Sequence, residues 1–111
     1  MAIVLTPREL FRAGNKTTAR FDQLKPGEVL VQPRNGADWV IARAGGASTL
    51  ETPKGLGGTW YRLPQGTPYD DAVFYLRNDY PGHWAWEPAQ DMLLSDYFAA
   101  LSVINAEFVL V

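Results

Sequence analysis

Four groups of residues in this 111-residue chain have the types and spacing to do chemistry. Arg12, within Leu10-Phe11-Arg12-Ala13, carries a guanidinium fork that suits phosphate oxygens better than a lysine does. Gly45-Gly46 lets backbone come close to a ligand, and Ser48-Thr49 supplies hydroxyls that orient a ribose or a carboxylate. His83 is able to donate to a sugar hydroxyl while neutral near pH 7. Alternation along His83-Trp84-Ala85-Trp86-Glu87 puts His83, Ala85 and Glu87 on one face and both tryptophans on the other. Glu87 is therefore the carboxylate expected to act beside His83. Trp60, Tyr61, Tyr75 and Trp84 offer flat walls for a planar ring. Each group also has a plain structural reading. Arg12 serves as an ion-pair partner, the diglycine as a turn, Ser48-Thr49 as a strand start, His83 as a loop-to-strand residue, and Trp84 and Trp86 as packing.

Other chemistries are absent from the sequence. Gly55-Leu56-Gly57-Gly58 lacks the Lys-Ser/Thr of a phosphate loop, and no nucleophile elbow occurs. Without cysteine there are no disulfides or thiolate zinc sites, and one histidine argues against a metal centre. A net charge of −2 and no Lys/Arg run argue against non-specific nucleic-acid binding. No apolar stretch is long enough to span a membrane, and Met1 to Thr6 lacks the basic flank and length of a signal peptide. The expected location is the cytoplasm, or a target-cell cytoplasm reached without a cleaved leader.

The elements that must position these groups are short. A composition 47% hydrophobic and 20% charged fits one globular domain over residues 1–111. Strands are expected at Glu9–Ala13 (or an edge segment), Glu28–Val31, Asp38–Ala42, Thr59–Leu63, Val73–Arg77, His83–Glu87 and Glu107–Val111. Asp38–Ala42 also reads as a helical turn, as does Phe21–Leu24. Gly55 to Gly58 reads as a flexible tip. Leu93–Val103 is the expected helix, capped by Ser95 or Asp91, with Leu94, Phe98 and Leu101 as its core stripe. Strands followed by a late helix, without βαβ alternation, predict an α+β fold.

In order, the motifs are Leu10-Phe11-Arg12-Ala13, Gly45-Gly46-Ala47-Ser48-Thr49-Leu50, Trp60 to Thr67 around Pro64 and Gly66, Val73 to Asp79, His83-Trp84-Ala85-Trp86-Glu87-Pro88, and Met92 before the helix. This succession resembles the ADP-ribosyltransferase-like toxin domain of a secreted cytostatic effector family of type VI secretion systems. The likeness covers about half the chain well and the N-terminal quarter loosely. The Glu-x-Glu pair of many ADP-ribosyltransferases is missing. The resemblance implies a small ADP-ribosyltransferase-like mixed or antiparallel sheet with one C-terminal-region helix. It also implies NAD as substrate, with Arg12, Ser48, His83 and Glu87 catalytic and Arg12, Gly45, Gly46, Ser48, Thr49, Tyr61 and His83 binding NAD.

The implied activity is transfer of ADP-ribose to a macromolecular target, or hydrolysis of NAD, arresting growth of the intoxicated cell. Cleaving the nicotinamide–ribose bond passes through an oxocarbenium-like state, as glycoside hydrolysis does. A tight-binding immunity or antitoxin protein is the implied partner. Two alternatives stay open on the residues alone: a non-enzymatic protein-binding module, inhibitor- or immunity-like, and a small ribonuclease toxin.

Overall fold

β-branched and aromatic runs bounded by glycine and proline form strands because they suit a pleated, half-buried surface. The computed structural model describes residues 2–54 and 58–111. From edge to edge, a six-stranded sheet runs β11 (Val109–Leu110), β6 (Thr59–Leu63), β2 (Leu10–Gly14), β5 (Ala47–Leu50), β9 (His83–Pro88) and β8 (Phe74–Tyr80). A second sheet joins β10 (Met92–Leu93), β4 (Ala37–Val40) and β3 (Val31–Arg34), and β1 (Ile3–Leu5) pairs with β7 (Pro68–Asp70). Among the described residues every pairing is antiparallel, and α1 (Leu94–Asn105) is the helix. The fold is α+β, mostly antiparallel sheet with one helix in the C-terminal region.

Several boundaries differ from the expectations, each for a local reason. The Arg12 segment is an interior strand, flanked by β6 and β5. Phe21–Leu24 belongs to a non-helical turn region, tied by Gln23 N–H to the Arg20 carbonyl. Strand pairing begins at Val31 rather than Glu28, whose N–H closes a turn on the Lys25 carbonyl. Asp38–Ala42 is strand only to Val40. The helix starts at Leu94 with no side-chain cap, because Asp91 instead accepts from Ala42 N–H at 2.7 Å and pairs with Arg34 at 2.8 Å. Its buried stripe is Tyr97, Leu101 and Ile104, with Leu94 and Phe98 packed at the margin. The closing strand is reduced to Val109–Leu110, and Phe108 enters the core. The tip expected at Gly55 to Gly58 falls largely on residues 55–57, which lie outside the described residues.

One face of the six-stranded sheet meets the helix. Trp86 is fully buried there and meets Phe21, Tyr69 and Phe74 edge-on, with ring centroids 5.2–5.5 Å away. Direct pairing puts Ser48, Leu50, His83 and Ala85 on the opposite face, together with Phe11. The expected alternation in β9 is therefore observed.

The sheet splits between β2 and β5, which pair only at Phe11 and Leu50, whereas β2 pairs with β6 at five positions. On the far side of the split, β5 packs closely on β9. A Cβ added at Gly46 would lie 2.2 Å from the Trp86 carbonyl oxygen and 2.6 Å from Glu87 N. The close approach that Gly46 permits is thus to the protein's own backbone. Gly46→Ala should destabilise the fold by about 2 kcal/mol or more, a loss of roughly 8 °C or more in Tm. An unchanged calorimetric Tm would contradict this packing.

Candidate functional site

At the split, Arg12 is 3% exposed and its side chain leaves the core-facing side of β2, with the guanidinium 5.6 Å from the Phe21 ring. Nε donates to the Arg20 carbonyl, Nη1 to the Ser48 carbonyl and Glu28 Oε2, and Nη2 to the Gln23 carbonyl and Glu28 Oε1, at 2.7–3.3 Å. A guanidinium has five N–H donors, and all are used. Arg12 therefore presents no open fork to a phosphate in this arrangement. Glu28 accepts in addition from the amides of Lys25 and Ser48. Burial alone would raise its carboxyl pKa, but the Arg12 guanidinium and the two amides outweigh that and hold it below the ordinary value of 4.5.

The opposite face of the sheet carries a trough. Two adjoining cavities of about 250 and 330 Å³ share Lys25, Ser48 and His83 in their walls. Arg12, Trp60 and Tyr80 border the first, and Glu28, Gly45, Gly46 and Asp79 border the second. Arg12, Ser48 and His83 thus meet at one cavity, although Arg12 extends its side chain away from the face the other two share.

His83 is held from three directions. Its Nδ1 lies 2.5 Å from Asp79 Oδ1, and the Tyr80 ring stacks parallel to it with centroids 4.5 Å apart. The Asn78 amide donates to the carbonyls of Tyr80 and His83, closing the irregular β8–β9 hairpin around Pro81-Gly82.

The remaining expected residues are placed elsewhere or differently. Thr49 is buried on the core face, where its hydroxyl donates to the Trp84 carbonyl and accepts from Trp86 Nε1. Tyr61 is buried beside Arg12 and donates to the Asn15 carbonyl. Neither lines the trough. Gly45 has φ of +97° and a hypothetical Cβ 2.4 Å from the Glu28 carbonyl oxygen, so its freedom serves the Glu28 turn. Glu87 shares the His83 face but is 4% exposed, lies 3.6 Å from Arg77 and is outside both cavity linings. The sequence marked Asp79 as a motif position without a role, and gave no role to Lys25 or Glu28. Asp79 had a signal, since Pro81-Gly82 folds the chain back and brings Asp79 towards His83. Glu28 had none, because its partner Arg12 is 16 residues away.

The chain matches no protein-family model, no curated protein and no solved structure.

Removing Arg12 leaves a carboxylate, 7% exposed, without its cation. Arg12→Ala should cost about 3–5 kcal/mol, and Arg12→Lys should fail to restore it because an ammonium has three donors. A denaturation midpoint for Arg12→Lys equal to wild type would contradict the network. Because the Glu28 pKa is lowered by folding, its stabilising contribution is complete above the ordinary carboxylate range. That contribution is lost as pH falls through the folded value. Glu28→Gln should therefore flatten the decline in stability below about pH 4.5, relative to wild type. Parallel acid-unfolding curves would contradict this.

Proposed function

We propose that the chain cleaves NAD at the nicotinamide–ribose bond, as an ADP-ribosyltransferase-like toxin that passes ADP-ribose to a target or to water. One observation carries the proposal: Ser48 and His83, from separate motifs of the resemblance, wall one trough that Arg12 also borders. The trough suits an elongated ligand with a ring, a sugar and a charged linker. Trp60 and Tyr80 provide flat walls, Ser48 a hydroxyl and His83 an imidazole. The larger cavity, about 330 Å³, is of the size at which cofactor sites begin, and the smaller, about 250 Å³, adjoins it.

The roles differ from those the sequence suggests. Arg12 orders the site, since its donors hold the 20–28 segment and the backbone of Ser48. Lys25 lines both cavities, and among the described residues it forms no ion pair, so it is the cation we assign to the pyrophosphate. In this reading a producing cell needs an inhibitor protein that blocks the trough.

A second reading, as a non-enzymatic docking module, is favoured by a separate apolar groove of about 380 Å³ between the β1–β7 ribbon and α1. Ile3 and Val103 on its walls are 67% and 68% exposed.

Nicotinamide release separates the two readings. Purified wild-type chain, with NAD and a cell extract as acceptor source, should release nicotinamide. His83→Ala should be slower by about 10²-fold or more while remaining folded. No release by the wild type would contradict NAD cleavage and leave the docking module.

A further inference from the structure

We propose that Asp79 is a positioning residue that fixes His83 as a proton acceptor, making His83 rather than Glu87 the general base of the trough. The catalytic half of this inference rests on the NAD-cleaving reading; the proton placement does not.

The contact between Asp79 Oδ1 and His83 Nδ1 carries the inference. An ionised carboxylate only accepts hydrogen bonds, so Nδ1 must be the donor and hold the proton. The neutral ring then has its lone pair on Nε2. His83 therefore accepts from a hydroxyl, whereas the sequence alone suggested that it donates. The parallel Tyr80 ring fixes the imidazole plane, and the Asn78 amide holds the hairpin that carries all three residues. Asp79, His83 and Ser48 all line the 330 Å³ cavity. Glu87 is four residues further along β9, about 13 Å away at strand spacing, and its buried Oε1 lies 3.6 Å from Arg77 without a hydrogen-bond partner.

The arrangement specifies a proton path. As the bond from ribose C1′ to the pyridinium nitrogen breaks, its electron pair passes to that nitrogen and neutral nicotinamide leaves. The oxygen of a water or acceptor hydroxyl bonds to C1′, and its proton passes to His83 Nε2. The resulting imidazolium keeps Nδ1–H on Asp79, whose negative charge stabilises it. The acceptor class implied is an oxygen nucleophile that must lose a proton.

His83 is the one histidine of the chain, so imidazole ¹⁵N resonances need no assignment. The experiment combines ¹⁵N NMR of the full chain, about two pH units above the ordinary imidazole pKa of ~6.5, with nicotinamide release by the same samples. Wild type should be protonated on Nδ1 and bare on Nε2. Asp79→Ala should shift the proton towards Nε2 and slow release by about 10²-fold with little change in KM. Asp79→Asn should keep the fold and also lose rate, because the charge facing the imidazolium is gone. A wild-type ring protonated on Nε2 would overturn the inference, whatever the chain does to NAD. Unchanged kcat in both variants would overturn the role of Asp79. A wild type with Nδ1 protonated that releases no nicotinamide would overturn the NAD reading, and with it the base role of His83.

Discussion

The buried guanidinium of Arg12 is the interaction on which the arrangement of this molecule depends. Placing a charge at a 3%-exposed position costs several kcal/mol unless it is fully paired. Here the Glu28 carboxylate and three backbone carbonyls pair it. Those acceptors come from β5 and from the 20–28 segment, so satisfying one side chain fixes where β2, β5 and that segment stand. Ser48 is clamped through both backbone groups, its carbonyl on Arg12 and its amide on Glu28. Its side chain is left on the opposite face, in the trough. The split between β2 and β5 is bridged by side-chain bonds where ladder bonds are missing.

A second tie holds the other half of the sheet. Tyr97 is fully buried on α1, and its hydroxyl accepts from Ala47 N–H at 3.0 Å and donates to the Trp86 carbonyl at 2.6 Å. Burial raises the pKa of this phenol, which keeps the proton it donates. The contact links the helix to the ends of β5 and β9, beside the point where Gly46 lets those strands meet. The trough face is thus held from behind at the N-terminal end of β5, by Tyr97 at Ala47 and by Arg12 at the adjacent Ser48. This is the condition under which His83 and Ser48 can keep a fixed geometry.

The strands richest in aromatic and β-branched residues were legible because their pattern is local. Thr59–Leu63 is found at its expected bounds, and His83–Glu87 is found one residue longer. The β3–β4 hairpin carried a signal that went unused: Asn35-Gly36, both with positive φ, is the strongest short-range turn signature. β10, of two residues, had no pattern to read. The site was legible in part. Motif order pointed to Ser48 and His83, and the β5–β9 register puts them on one face. Thr49 falls on the core face while Ser48 faces the trough, since adjacent strand residues point to opposite faces. The fate of Arg12 depended on Glu28, Gln23 and Arg20 reaching it from a turn, a tertiary fact with no local trace.

The central claim is that the Ser48–His83 trough, with Arg12 committed to the fold, receives NAD. The most direct measurement is an NMR titration of the chain with an NAD analogue whose ribose ring oxygen is replaced by methylene, which resists cleavage. The account predicts shifts at the His83 ring, the Tyr80 and Trp60 side chains and the Ser48 and Lys25 amides, while the Arg12 Nε–H resonance stays in place. Shifts confined to Ile3, Val73 and Val103, or displacement of Arg12 Nε–H from its bonded position, would contradict it.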